Sequence, residues 1–416
     1  MDDLVYIRLR GDVALQLVKK NPKKYKRFLK YNSRDQPYII ARLAKALYGT
    51  LKASKLFYED ITGFLVGKGF TINPYDHCVA NKVVKGKQLT VVWHVDDLKI
   101  SHADPAVVGG LIQELNQRYG TIKRLSETRG PIHDYLGMTL NFSLSGKVIL
   151  DMRDYLDLTL ESTNPDLLSK GKRVTTPATD MLFKVSISPA CLDKKKSEEF
   201  HSLTAKLLFL AKRSRPDILT AVAFLTTRVQ APTTEDWGKL GRVMCYLHNT
   251  KDLVLTLETN DPSEIKWYAD SAFAVHFDGK SHTGSLMTIG NGAISCTSKK
   301  QKLVTRSSTE AEVVAVYDSL PSAIWVYQFL SSQGITMKPI KMMQDNLSAI
   351  QIEKFGTVSC KRTKHMALRY FWISDHVGKG TVTPVYCPTK QMLADVLTKP
   401  LQGSLFKVMR DTILNS

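Results

Sequence analysis

The sequence predicts a multidomain chain that joins an α+β part to an α/β part. Three observations carry this. At 416 residues the chain exceeds one ordinary core, so two or three domains are expected. The stretch QLTVVWHVDDLKIS (88–101) reads as two short strands around a turn, with an amphipathic helix on either side of it, as in helices packed on an antiparallel sheet. From about Ile265 short strands and helices alternate, which suggests a mixed sheet with helices on its faces.

Taken in order, Val5 to Leu9 is strand-like, and Lys19, Lys20, Lys23, Lys24, Lys26, Arg27 and Lys30 then cluster around Tyr25 and Phe28. Such a cluster is either a solvated face or a phosphate-binding surface. Leu47, Leu51, Leu56, Phe57, Ile61, Phe64 and Leu65 recur at helical spacing and predict a long helix that exits through Gly67 and Gly69. In the hairpin that follows, Asp96 and Asp97 fall at the turn. Two carboxylates that close repel unless a cation sits beside them, so the pair suits a divalent metal, although aspartate is also an ordinary turn residue. Val108, Leu111, Ile112 and Leu115 stripe a second helix ended at Gly120, and Met138, Leu140 and Phe142 alternate in a hairpin turning at Ser145 and Gly146.

From about Asp151 the pattern becomes mostly helical: Tyr155 to Leu160, Phe200 to Leu210 and Trp237 to Leu247 space their apolar residues at three and four, interrupted by the basic KRSRPDI (212–218). Residues 161–197, with several prolines and Lys194, Lys195 and Lys196, read as an exposed connection.

Composition narrows the partners. Lys plus Arg number 58 against 39 Asp plus Glu, a net +19, and this excess points to a polyanion: nucleic acid first, an anionic membrane surface second. No apolar run reaches the length that spans a bilayer, and MDDLVYIRLR is neither a signal nor a transit sequence. A cytosolic or nuclear setting, not secretion, is expected. Cys78, Cys191, Cys245, Cys296, Cys360 and Cys387 are scattered without a CxxC pair, which indicates reduced thiols rather than a zinc site or a disulfide framework.

The last part carries the densest chemistry. IKWYADSAFAV, TGSLMTIG and AISCTS predict strands, SSTEAEVVAVYDSL a helix, IKMMQDN and TVTPVYC strands, and QMLADVLTKPL a C-terminal helix. Asp270 then stands near a strand end, Glu312 on the first helix, Asp345 at a later strand end and Asp395 on the last helix. Carboxylates are the ligands Mg²⁺ prefers, and metal-assisted hydrolysis of a phosphodiester is the chemistry such a set supports. Glu310 is read as a helix cap below Ser308, and Glu312, on another face, as the ligand. Lys361, Arg362, Lys364, His365 and Arg369 crowd beside Tyr370, Phe371 and Trp372. Cations with aromatics suit a nucleic-acid duplex, or else form a basic strand edge over a core.

LYGTLKASKLFY, HVDD, DYLGM, KRSRPDI, LGRVMCYLHNT, YADS, SSTEAE, QDN, KRTKHMALRYF and MLADVLTKPL stand in this order over nearly the whole chain. They resemble the reverse transcriptase and RNase H segment of a copia-type LTR-retrotransposon polyprotein. The resemblance implies a partial polymerase palm and fingers over 1–160, a helical thumb or connection over 161–260 and an RNase H-like mixed sheet with flanking helices over 261–416. It implies that Asp96 and Asp97 are palm carboxylates acting through metal ions on a primer 3′-hydroxyl and a dNTP. Asp270, Glu312, Asp345 and Asp395 would be the RNase H set, using Mg²⁺ or Mn²⁺ to cut the RNA strand of an RNA–DNA hybrid. The helix from Leu47 would lie under template and nascent pair, and the Tyr135 to Met138 turn would touch the primer end. The implied partners are RNA template, DNA primer, RNA–DNA hybrid and dNTP, contacted through Lys52, Lys212, Arg213, Arg215, Lys361, Arg362, Lys364, His365 and Arg369, in the cytoplasm, including virus-like particles, or the nucleus.

Several positions depart from that family's pattern. Its palm carries a further Asp in a DVKTAFL-like stretch just upstream of VYI, where this chain begins at Met1. Asp2 and Asp3 match a different acidic position, so the polymerase portion is expected to be truncated and incomplete. His94 replaces the usual Tyr, Ala53 and Ser54 replace Gln and Ser-Pro, and Ala272 and Phe273 replace an Asp-Trp pair. The competing expectation is a non-catalytic basic nucleic-acid-binding remnant or domesticated protein.

Overall fold

The computed structural model describes residues 5–43, 47, 49–168, 174–188, 190–355 and 367–416. Contacts divide the chain into two units, residues 1–72 with 77–110 and residues 73–76 with 111–416. The domain boundaries expected near 160 and 260 both fall inside the second of these.

In the first unit β1 (Tyr6–Arg10) leads to α1 (Asp12–Lys20), the short α2 (Pro22–Tyr25), β2 (Leu29–Tyr31) and β3 (Pro37–Arg42), and the strands form an antiparallel sheet in the order β1-β3-β2. The basic cluster therefore lies mostly on helix and turn. Thr50 caps α3 (Leu51–Gly67), which buries Ile61 and Leu65. At its far end Gly69, with φ +83°, lets the Phe70 amide reach the Leu65 carbonyl at 3.0 Å and close the last turn. A second antiparallel sheet, ordered β4-β5-β6-β7, contains β4 (Thr71–Ile72), β5 (Val79–Val84), β6 (Lys87–His94) and β7 (Asp97–Ser101). Leu89, Val91 and Trp93 alternate inward along β6 and are buried. α4 (Pro105–Tyr119) follows and crosses the division between the units.

The second unit begins its sheet structure with β8 (Ile132–Tyr135), β9 (Met138–Asn141) and β10 (Lys147–Asp151), joined by the later β11 (Leu255–Glu258) in the order β11-β10-β9-β8. The β9–β10 turn sits at Ser145 and Gly146, where expected. Leu136 and Gly137 both have positive φ, as the tight β8–β9 turn requires. Four helices lie between the third strand and β11: α5 (Arg153–Glu161), α6 (Lys194–Ala211), α7 (Leu219–Thr226) and α8 (Thr234–Asn249). Residues 161–197 are not the exposed connection that their composition suggests. Leu167, Val174, Ala178, Leu182 and Phe183 are buried in the same core as α6, α7 and α8.

The last sheet is ordered β14-β13-β12-β15-β16, from β12 (Lys266–Ala272), β13 (His282–Thr288), β14 (Ala293–Lys300), β15 (Ile340–Gln344) and β16 (Val382–Tyr386). The first three are antiparallel and the last two parallel to β12 and to each other in turn. Successive residues of β13 face opposite ways: Met287 enters a core with α9 (Ser308–Ser332), and Leu286 enters the core shared with α6, α7 and α8. α10 (Leu347–Phe355) and α11 (Ala367–Gly378) join the α9 side. QMLADVLTKPL is not one helix. It forms a 3-10 turn at Leu393–Leu397, passes Pro400, and only then enters α12 (Gly403–Leu414), because proline cannot continue a helix from the preceding turn. Contrary to the expectation of no apolar run of spanning length, α9 is long and apolar enough to cross a bilayer. It buries Val313, Val314, Val316 and Leu320 against the sheet as a core helix.

Candidate active site

Parallel pairing of β12 with β15 sets the first two acids side by side. Tyr268 pairs with Met343, so Asp270 and Asp345 lie two steps beyond the last pair, at the same end of adjacent strands. Both acids were expected at strand ends. Asp270 is buried and Asp345 half-buried, with Asp345 Oδ2 accepting from Thr389 Oγ1 at 3.0 Å.

α9 brings the third acid. Its cap is Ser307, one residue before the expected Ser308, and Ser307 Oγ accepts from the Glu310 amide at 3.2 Å. Glu310 Oε2 accepts from the Arg306 amide at 2.8 Å, so Glu310 supports the start of the helix below the Ser307 cap. Glu312, two residues on, turns toward β12 and accepts from the Ser271 amide and hydroxyl at 3.3 and 3.1 Å through Oε1. Its Oε2 is buried without a hydrogen-bond partner. Burial, then Asp270 and Asp345, push the Glu312 carboxyl well above the ordinary range. Ligand atoms of Asp270, Glu312 and Asp345 all lie within 4.8 Å of one another. A buried carboxylate oxygen with no donor, facing two more acids, is an arrangement that a hard cation satisfies and a hydrophobic core does not.

Asp395 neighbours Asp270 from the 3-10 turn rather than from the last helix. Burial and then Asp270 raise its carboxyl to about 7. Lys399 Nζ sits 2.6 Å from Asp395 Oδ1 and 3.6 Å from Asp270 Oδ2, and the Thr398 hydroxyl donates to Asp270 Oδ2. The turn reaches the sheet through Gly284, which pairs with Asp270 across β12 and β13. A Cβ at Gly284 would lie 2.6 Å from Thr398 Cγ2 and 2.9 Å from Leu397 Cβ. Lys399, Thr398 and Gly284 were not anticipated; the i, i+4 spacing of Asp395 and Lys399 was the one local signal. Asp270, Glu312, Asp345, Tyr386 and Lys399 line a cleft of about 420 Å³.

Asp96 and Asp97 stand apart from this cluster in sequence and in kind. His94 pairs with Asp97, leaving Val95 and Asp96 as a two-residue loop, and both acids are exposed. Val95 has φ +55°, a costly conformation for a β-branched residue and one held at a few specialised sites. Among the described residues no third acid joins the pair in a metal-holding group.

The expected nucleic-acid contacts divide. Lys52 is exposed on the first turn of α3. Lys212 is exposed but its Nζ donates to the Cys296 carbonyl at 2.7 Å, and the Arg213 guanidinium lies 3.6 Å from the Phe209 ring centroid. Arg215 is not a surface cation. It is 1% exposed, bonds both oxygens of Asp217 at 2.9 and 2.8 Å, and also donates to the Thr250 carbonyl and hydroxyl. A guanidinium fork matched to a carboxylate two residues away satisfies both charges inside the fold. Arg369 is half-buried with its guanidinium 5.3 Å from the Tyr317 ring centroid. Lys361, Arg362, Lys364 and His365 lie outside the described residues. Beside the Tyr135–Met138 turn, Asp134, Asp151, Asp154, Asp157 and Asp252 line a cleft of about 620 Å³, with Arg153 and Lys251 as the cations among the described lining residues, a lining unfavourable to phosphate.

Residues 7–179 match the family described as reverse transcriptase (RNA-dependent DNA polymerase). The chain is 28% identical over 412 residues to the retrovirus-related Pol polyprotein from transposon TNT 1-94 of Nicotiana tabacum, covering 97% of this chain and 30% of that protein. It is 31% identical over 378 residues to the Pol polyprotein from transposon RE1 of Arabidopsis thaliana, covering 90% and 25%. The chain belongs to the copia-type retrotransposon reverse transcriptases. As a member of that family it spans less than a third of the length of these two relatives. Among solved structures it is similar to an RNase H1 isolated from compost, at 17% identity and TM-score 0.26, covering 32% of this chain and 92% of that one. It is also similar to the native prototype foamy virus protease-reverse transcriptase, at 14% identity and TM-score 0.25, covering 92% and 43%. In this copia-type chain the family match includes the Asp96–Asp97 hairpin, and the buried acid cluster lies beyond the match, on the five-stranded mixed sheet.

Proposed function

We propose that this copia-type chain acts on RNA–DNA hybrids, its 261–416 portion cutting the RNA strand with Mg²⁺ or Mn²⁺ and its Asp96–Asp97 hairpin belonging to RNA-directed DNA synthesis. The observation that carries the nuclease reading is the convergence of Asp270, Glu312 and Asp345 from β12, α9 and the end of β15, with the buried Glu312 Oε2 lacking a donor. A divalent ion bound there supplies the charge that favours hydrolysis of a phosphodiester. Asp270, Glu312 and Asp345 hold it, Asp395 with Lys399 closes the neighbouring side, and Ser271 orients Glu312. The net charge of +19 supports a nucleic-acid partner. For synthesis, the hairpin acids would face a primer end and a dNTP, and their exposure fits an open site awaiting template and primer.

The test is cleavage of a labelled RNA–DNA hybrid by the purified chain with Mg²⁺, compared with Asp345→Asn. Loss of cleavage with hybrid binding retained is the expected result. Absence of cleavage by the parent, or unchanged cleavage in Asp345→Asn, overturns the nuclease reading and leaves a basic nucleic-acid-binding protein.

A further inference from the structure

The three-stranded sheet of the first unit has two unlike faces. Side chains alternate along a strand, and the register sets Leu9 and Leu29 opposite Ile39 and Ile7 opposite Ala41, so these apolar residues share one face. Ile39 is buried there, and α1, with its buried Ala14, packs on β1 and β3. The other face comes from the residues between. β1 supplies Tyr6, Arg8 and Arg10, which pair in turn with Arg42, Ile40 and Tyr38 of β3. Lys30 of β2 stands opposite Tyr38 on the far side. Tyr38 is half-buried, with the Arg8 guanidinium 4.7 Å from its ring centroid, and the others on this face are exposed, Tyr6 by 57%.

This second face carries charge of one sign. Arg8, Arg10, Lys30 and Arg42 stand on it with no acid among the described residues of the face, and none of the four has an ion-pair partner among the described residues. Like charges gathered on so small a sheet repel one another, and a bound polyanion relieves them. The aromatics narrow the choice of polyanion. Tyr6 and Tyr38 lie on a diagonal, one strand and four residues apart, roughly 14 Å, with Arg8 between them. A row of phosphates needs cations alone, whereas flat rings set among the cations offer stacking surfaces to bases that are not already stacked in a duplex. An anionic bilayer needs apolar side chains to bury, and Ile40 is the one aliphatic among the described residues of this face.

We infer that the outer face of the β1-β3-β2 sheet binds single-stranded nucleic acid, with phosphates on Arg8, Arg10, Arg42 and Lys30 and unpaired bases on Tyr6 and Tyr38. Neither the Asp96–Asp97 hairpin nor the acids of β12, α9 and β15 take part, so the inference stands apart from the nuclease and polymerase readings. The contact tolerates any sequence, since every nucleotide brings a phosphate and every base a face to stack. RNA and DNA strands are both ligands on the same grounds.

Fluorescence anisotropy of labelled oligothymidylate and oligouridylate with the full chain tests it, in EDTA so that metal-dependent cleavage is silent. The parent should bind both strands. Tyr6→Ala/Tyr38→Ala should weaken that binding at least about five-fold, and Tyr6→Phe/Tyr38→Phe should restore it. Arg8→Gln/Arg10→Gln/Arg42→Gln removes three phosphate contacts and should lower the slope of log affinity against log salt by about 2. Binding of double-stranded DNA of the same length should not respond to the tyrosine changes. No binding of either strand by the parent, or folded variants that bind as the parent does, overturns the inference. So does equal weakening of duplex binding. Loss of phosphatidylserine-vesicle binding in the arginine variant, with oligonucleotide binding kept, also overturns it and gives the face to a membrane. Should Tyr38→Ala not fold, Tyr6→Ala alone still decides, since that side chain is exposed. Asp345→Asn should bind the strands as the parent does, so failure here leaves the nuclease reading standing, and failure of cleavage leaves this one.

Discussion

The hydroxyl of Thr220 and the carbonyl of Val396, 176 residues apart in sequence, form a buried 2.6 Å hydrogen bond. It ties α7 to the turn that holds Asp395. Thr220→Val keeps the volume and leaves that carbonyl unsatisfied, at an expected cost of about 1 to 3 kcal/mol. Chemical denaturation measures this. Cleavage of hybrid should fall with it, while hybrid binding stays, because only the seat of Asp395 is loosened.

Glu310 and Glu312, two residues apart, should separate cleanly. Glu310→Ala removes the acceptor of the Arg306 amide at the start of α9 and should lower stability by about 1 kcal/mol without changing metal binding. Glu312→Gln removes a buried carboxyl that burial and two acidic neighbours disfavour. It should raise the melting temperature of the metal-free protein and abolish the further rise that Mg²⁺ gives the parent. A stabilised but metal-insensitive protein is the expected outcome, since sites that concentrate like charge do so at the expense of stability.

A buried histidine pair gives the fold an acid limit. His276 Nε2 lies 3.0 Å from His282 Nδ1, His282 Nε2 lies 2.7 Å from Ser298 Oγ, and Phe183 packs against both rings. Burial lowers His276 from 6.5 to about 4, with Lys300 and Lys280 adding to the effect and Asp278 opposing it, and burial with His276 lowers His282 to about 3. Both rings are held neutral in the folded state. Their contribution is complete above pH 6.5 and is lost as pH falls through the depressed values. Denaturation followed from pH 7 to pH 4 should show a loss on the order of 3 kcal/mol for each ring, about 6 kcal/mol for the pair, flattened in His276→Gln/His282→Gln.

Arg215 should behave as a core residue. Arg215→Met strands Asp217 inside the protein and should cost about 3 to 5 kcal/mol, while the salt dependence of nucleic-acid binding keeps its slope. A shallower slope with unchanged stability would return Arg215 to the surface role first expected of it.

The parts of the site that sequence made legible are those with a local signature. Asp270 and Asp345 terminate apolar runs that could only be buried strands, and Glu312 precedes VVAV two residues after the glutamate that supports the helix start. The Asp96–Asp97 turn declared itself through the strands on either side. Lys399, Thr398 and Gly284 acquire meaning only when a turn near residue 395 lands on β13, a contact between positions more than a hundred residues apart. Arg215 misled because its partner is hidden inside the same basic-looking run. Leu167, Val174, Leu182 and Phe183 misled because isolated apolar residues among prolines show no period, yet each finds the common core.

That core has a consequence for how the chain can be divided. Leu286 and Ala293 of the last sheet, Phe406 and Met409 of α12, and Leu207, Leu219 and Met244 of the preceding helices pack as one cluster. Residues beyond 260 are consequently not a detachable module: cut at that point, the piece would present a greasy face to water and clump. Calorimetry should register one melting event for the second unit, and any genetic exchange that preserves the acid-bearing sheet must inherit the helices with it.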